Sequence, residues 1–223
     1  MSSFTPFLDQ YGALLGAGLA DTLVMLFAST ALSYAIGIFL GVVLCVTAPR
    51  GLHPMRTLNA VLGWLVNIGR SIPFIILLVS MFPVTRALVG TTTGVQGVIP
   101  PLVLSTTPFV ARMVEQSLAE VSRDAIEAAE SCGASIPRIV VSALLPEALP
   151  SIVRGVSITL IAALGYTAIA GAVGAGGLGD IAIRYGYYRY QDEVMIATLV
   201  LIVILVQVIQ STCDAIAKRI DHR

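Results

Sequence analysis

The chain has 223 residues, of which 57% are hydrophobic and 12% charged, with a mean hydropathy of +0.90 and thirteen basic against thirteen acidic side chains. A soluble domain carries about 25% charged residues, so this composition excludes disorder, a disulfide scaffold and an ordinary soluble enzyme, and points to an integral membrane protein. Zero net charge with no basic stripe gives no surface for nucleic acid.

The elements follow from runs of about 20 residues without charge. The first arginine is Arg50, so there is no basic leader region and no cleaved signal peptide is expected. Residues 22–49, between Asp21 and Arg50, form the first predicted span. Residues 57–83 are apolar except for Arg70 and read as a second span, bent near Pro73. A lipid-facing arginine at mid-depth costs about 2.5–3.5 kcal/mol on insertion scales, which places Arg70 against protein or water, or near an interface. Residues 87–111, 155–179 and 194–213 complete five predicted spans.

Five spans put the termini on opposite sides. With the N-terminus outside, Arg50, Arg56, Arg112, Arg123, Arg138, Arg154, Lys218, Arg219 and Arg223 fall inside, and only Arg86, Arg184 and Arg189 outside. The excess of inner positive charge fixes N-out, C-in. Residues 112–154 are then a cytoplasmic loop within one membrane domain spanning 1–223. In the external loop, 174–193, Tyr185, Tyr187, Tyr188 and Tyr190 suit an interfacial aromatic belt.

The cytoplasmic loop has a pattern of its own. Ala125, Ala128, Ala129 and Cys132 fall at i, i+3, i+4 and i+7, a helical stripe of small side chains. Gly133 can take the left-handed conformation that ends a helix, Ser135 can cap the next, and Pro137 is tolerated in its first turn. Pro146 and Pro150 are expected to interrupt before the next span. Two short surface helices joined at Gly133 result. Their small-residue stripe fits either a groove in another protein or the chain's own bundle.

Several clusters are candidates for a translocation route. The second span carries Ser71, Pro73 and Phe74 beside Arg70, and the third carries Ser105, Thr106, Thr107 and Pro108. These suit helix bends, where hydroxyls satisfy carbonyls freed by proline, or a weakly polar path. In the fourth span Gly155, Thr159, Ala163, Thr167, Gly171 and Ala175 form a ridge of small residues for close packing, which in a dimer could flank a pathway, with Tyr166 adding a hydroxyl. Gly174, Gly176, Gly177 and Gly179, at the outer end of that span, are candidates for an outer gate or a tight turn.

Metal and redox chemistry are not expected. Cys45, Cys132 and Cys213 are far apart, and His53 and His222 are the two histidines. No Ser–His–Asp or Cys–His arrangement suggests catalysis. There is no GxxxxGK[ST] phosphate cradle, and the single lysine is Lys218, so this chain is not expected to be an ATPase. No Asp or Glu lies within the five runs, which counts against the other reading, a stand-alone ion-coupled carrier or channel.

Glu127-Ala128-Ala129, three residues, Gly133, then nine residues before Ala143-Leu144-Leu145-Pro146, resembles the EAA signature of ABC importer permeases. Ala143 departs from it, since a larger aliphatic residue is usual there. The stretches NIGRSIPFIILLV, PFVARMVE, LLPEALP and GAVGAGGLGDI are similar to the methionine-import permease family, over roughly residues 11–217. The resemblance implies an all-α type I importer permease with about five membrane helices, working as a homodimer in a bacterial inner membrane. It implies two separate ATPase subunits that hold ATP and Mg and dock on loop 112–154 through Glu127, Ala128, Ala129, Gly133, Leu145 and Pro146. It also implies a periplasmic or lipid-anchored binding protein and a small amino-acid substrate, with glycine betaine or phosphonate as alternatives among related permeases.

Overall fold

A chain this apolar satisfies its backbone polar groups within helices, because lipid offers no hydrogen-bond partner. The computed structural model describes residues 4–220, and every regular element among them is helical. His222 and Arg223 lie outside the described residues.

The elements are α1 (Phe4–Thr47), α2 (Arg56–Ser71), α3 (Phe74–Ser80), α4 (Phe82–Val89), α5 (Gly94–Ala119), α6 (Arg123–Ser131), α7 (Ile136–Ile139), α8 (Leu145–Gly171), α9 (Gly177–Ile181) and α10 (Asp192–Ile220). A π turn over Val140–Leu144 joins α7 to α8, and a second over Ala182–Tyr187 follows α9. Among the described residues four stretches are long and apolar enough to cross a membrane: Asp9–Thr47, Gly94–Ala119, Ile136–Gly171 and Asp192–Ile220. The fifth is α2 with α3, bent by 97° at the break before Pro73, so the expected bend is present. Ile72 is extended (φ −83°, ψ 120°), as the residue before a proline prefers, and this ends α2.

Three boundaries differ from the sequence expectation. The first helix begins at Phe4 and carries Asp9 and Asp21 within it, because a charge near a span's end does not stop a helix that reaches water. Residues 87–89 belong to α4, which ends at Gly90 in a left-handed turn (φ +83°), and the next span begins only at Gly94. Pro146 and Pro150 do not interrupt: the helix runs from Ile136 to Gly171. A proline ring at 146 crowds the carbonyl four residues earlier, Ser142, which lies within the wider π turn.

The chain forms two compact units. Among the described residues, one comprises 4–31, 73–104 and 160–209. Its core joins Met25, Phe74, Leu78, Val98, Leu102, Ala170 and Ala175, with a smaller cluster of Leu15, Ile181 and Val194. The other comprises 32–72, 105–159 and 210–220, and its core joins Val110, Val114, Leu118, Val121, Leu144, Ala148 and Ile152. Within this second unit α1 approaches α5 at two glycines. A Cβ at Gly37 would stand 2.6 Å from Val110, and one at Gly41 would stand 2.7 Å from Val114. Small residues let backbones approach in the absence of a hydrophobic drive between helices in lipid.

Candidate functional site

The cytoplasmic arm is α6, its terminating turn and α7. Helix α6 ends in a Schellman motif. The Ala134 N–H donates to the Ala129 carbonyl at 3.2 Å and the Gly133 N–H to the Glu130 carbonyl at 2.8 Å. Gly133 adopts φ +71°, the left-handed conformation its place in the sequence predicts. Ser135 stands at the cap position of α7 in an extended conformation, without a side-chain cap bond, and Pro137 sits in the first turn.

No residue of α6 is buried. Glu127, Ala128 and Glu130 are exposed, Ala125 and Ala129 half-buried, and Ile126 packs on the second unit's core. Leu145 packs against that same core, whereas Pro146 is exposed. Behind the arm lies a cleft of about 420 Å³, lined by Arg50, Glu115, Arg123, Glu127, Glu130 and the apolar Leu118 and Val121 among others. Mixed charge over an apolar floor suits a protein partner better than a single small ion.

The route candidates fall in different environments. Arg70, Ser71 and Pro73 are exposed, and the Ser71 hydroxyl donates to the Asn67 carbonyl at 2.8 Å. Phe74 is buried and stacks on Tyr166, with ring centroids 4.8 Å apart. Ser105, Thr159 and Thr167 are buried. Thr167 donates to the Leu164 carbonyl at 2.8 Å. Thr159 donates to the Gly155 carbonyl at 2.9 Å, so the Tyr34 hydroxyl, 3.1 Å away, donates to Thr159. Pro108 lies against Gly69, where an added Cβ would stand 2.6 Å from its Cγ.

The glycine-rich segment after α8 is held on two sides. Gly174, Gly176 and Gly177 have φ of +86°, +81° and +79°. The Gly94 N–H donates to the Gly174 carbonyl at 2.9 Å, and the Leu178 N–H to the Thr22 hydroxyl at 2.9 Å. Gly179 is helical, and its missing Cβ leaves room for the Ala168 backbone. Farther on, the Arg189 guanidinium lies 4.5 Å from the Tyr185 ring centroid, and Arg184 pairs with Asp180. Of the four tyrosines of this loop, Tyr187, Tyr188 and Tyr190 are exposed, whereas Tyr185 packs against the cluster of Leu15, Ile181 and Val194.

Sequence reasoning passed over four residues that organise these places: Thr22, Tyr34, Asn67 and Arg112. Arg112 joins α5 to α2, donating to Asn67 Oδ1 at 3.0 Å and pairing with Glu115 at 2.6 Å. Asn67 carried a readable signal, an amide one turn from Arg70 in an apolar run. Thr22 and Tyr34 carried none. Among the described residues no three His, Cys, Asp or Glu side chains gather in a metal-binding group.

The family described as binding-protein-dependent transport system inner membrane component matches residues 33–223. The probable D-methionine transport system permease protein MetI of Vibrio cholerae is 49% identical over 203 residues, covering 91% of this chain and 90% of that protein. The methionine import system permease protein MetP of Bacillus subtilis is 42% identical over 180 residues, 81% of each chain. Among solved structures, a chain of the MetNI methionine ABC transporter in inward-facing conformations superposes with a TM-score of 0.94 at 47% identity, covering 96% of this chain and 99% of that one.

Proposed function

The chain belongs to the family of binding-protein-dependent transport system inner membrane components, multi-pass proteins of bacterial membranes, and from that membership we propose that it is the permease subunit of an ATP-driven importer of methionine. The observation that carries the substrate is the 47% identity, over almost the whole of both chains, to a permease solved in a methionine transporter. Two copies of the chain enclose the route, two separate ATPase subunits bind ATP and Mg, and a periplasmic or lipid-anchored binding protein delivers the amino acid outside. The whole chain serves as one permease domain, and residues 112–154 are its coupling loop.

Coupling runs through α6. Glu127, Ala128 and Ala129 seat the arm on the ATPase, with Glu127 a docking group and not a catalyst. Gly133 holds the angle between α6 and α7, and Leu145 with Pro146 carries the movement into α8. An arm with exposed small residues on a helix without buried anchors is free to enter a partner's groove. When ATP draws the partner subunits together, the arms move with them and the cavity opens outward.

Arg70, Ser71, Pro73, Phe74, Ser105, Pro108, Thr159, Tyr166 and Thr167 belong to the route or its walls. Those buried within the chain, such as Thr159, shape helices, and those exposed, such as Ser71, meet solute. Gly174, Gly176, Gly177 and Gly179 close the outer mouth. Selectivity rests largely with the delivery protein, because the described route offers few charged groups.

Tagged expression, gentle detergent extraction and reconstitution test this reading. The expected result is stoichiometric co-purification of a P-loop ATPase and ATP-dependent methionine uptake once binding protein is added. A chain that purifies alone and moves solute without ATP overturns it. Uptake of glycine betaine or a phosphonate in place of methionine overturns the substrate.

A further inference from the structure

Helix α2 is amphipathic, which is unusual for a segment expected to lie in lipid. Arg56, Ala60, Gly63, Asn67, Arg70 and Ser71 fall within roughly a third of its circumference. Leu58, Val61, Leu65 and Ile68 occupy the opposite side and are exposed, as lipid contact requires. Val66 is buried on a third side, against Leu44 and Ala111. The polar edge meets α5 through Arg112, which donates to Asn67 Oδ1 and, at 3.5 Å, to the Gly63 carbonyl. Arg56, Asn67, Arg70 and Ser71 are all exposed.

Depth makes Arg70 the distinctive member. At about 1.5 Å per residue it stands roughly 21 Å along α2 from Arg56, well into a hydrocarbon layer about 30 Å thick. Its guanidinium makes no hydrogen bond or ion pair with any described residue. Asn67, one turn nearer the cytoplasm, is engaged through its Oδ1 by Arg112, itself paired with Glu115. Ser71 spends its proton on the Asn67 carbonyl, which leaves its oxygen as an acceptor. At that depth the edge offers one unpaired cation, which is not stable in lipid, while the Ser71 hydroxyl is bonded within its own helix.

The geometry points to Arg70 as the residue that receives the carboxylate of the translocated amino acid. This deepens the proposed importer function and rests on it. A guanidinium presents paired donors that match a carboxylate, and a single contact of this kind holds the solute weakly enough to release it. The polar edge of α2 accordingly faces the aqueous route, and its apolar side faces lipid.

The test removes the charge at one position and then rebuilds or reverses it. Arg70→Cys is made in a background with Cys45→Ala, Cys132→Ala and Cys213→Ala, and assembled with the ATPase and binding protein in proteoliposomes. Loss of one charged hydrogen bond should lower methionine uptake about tenfold. Aminoethyl methanethiosulfonate, which rebuilds a cation on the introduced thiol, should raise uptake at least about threefold; the sulfonatoethyl reagent should label equally and raise nothing. Equal uptake by the two adducts, labelling by neither reagent, or undiminished uptake in the cysteine variant overturns the assignment. If the cysteine variant does not assemble, Arg70→Lys and Arg70→Gln replace it, and equal uptake by those two overturns the assignment equally. Failure of the unmodified chain to import methionine strikes the function itself and is thereby distinguished.

Discussion

The hydroxyl of Thr22 and the backbone N–H of Leu178, 156 residues apart in sequence, share a hydrogen bond of 2.9 Å with both residues buried. The same hydroxyl donates to the Gly18 carbonyl, so one side chain ties the start of α9 to α1 and satisfies itself at once. Gly177 makes this possible, since a Cβ there would stand 2.7 Å from the Thr22 oxygen.

Thr22→Val keeps the shape and removes the acceptor. The Leu178 N–H is then buried without a partner, which costs about 1–3 kcal/mol. Thermal unfolding in detergent should show a lower midpoint than the parent. A midpoint at or above the parent's would mean the tie carries no stability.

Gly133 has open space around it: nothing lies within 4 Å of an added Cβ. The cost of substitution is therefore one of backbone conformation, about 1–2 kcal/mol for a left-handed L-residue, and greater for a β-branched one. Gly133→Val should insert normally yet lose most ATP-driven uptake, and Gly133→Asn should retain most of it. The pair of uptake rates checks this, and equal rates would assign the loss to side-chain bulk.

Glu127 is exposed on a helix with no buried residue, so its replacement leaves the fold alone. Glu127→Lys should reduce the ATPase recovered with the tagged chain, and the reduction should depend on ionic strength because a rim charge is screened by salt. Undiminished recovery at low salt would remove Glu127 from the interface.

Gly69 and Pro108 should behave as a coupled pair. Gly69→Ala places a Cβ 2.6 Å from the proline Cγ and should cost about 1–3 kcal/mol through overpacking. Pro108→Ala removes that atom, so the double variant should recover about 0.5–3 kcal/mol relative to additivity. Unfolding midpoints of the four proteins close the cycle.

The contrast between Gly133 and Thr22 shows what was legible in the sequence. A glycine between a small-residue helix and a Ser-x-Pro start has one economical conformation, and local chemistry settles it. Likewise the charge-free runs and the proline at 73 expose five spans and a bend. Thr22 and Thr159 look like any membrane hydroxyl that bonds its own helix four residues back, and Tyr34 like any membrane tyrosine. Their long-range partners depend on which helices meet. Pro146 and Pro150 misled for a related reason: proline ends an α-turn, but a π turn ahead of it relieves the clash, and composition does not announce a π turn. The burial of Thr159 follows the same logic, since its place on a small-residue ridge fits a helix contact and a solute path equally well.

The π turn over Val140–Leu144 also fixes a compass bearing. A π turn amounts to one residue inserted into an α-helix, and one residue corresponds to about 100° of rotation. Deleting any single residue there would leave every charge and every hydroxyl of α6 in place, yet swing Glu127 and its neighbours roughly a quarter-turn or more around the axis of α8. The direction in which the arm presents itself is thus encoded in the number of residues in one turn, and evolution could re-aim it by an indel more readily than by substitution.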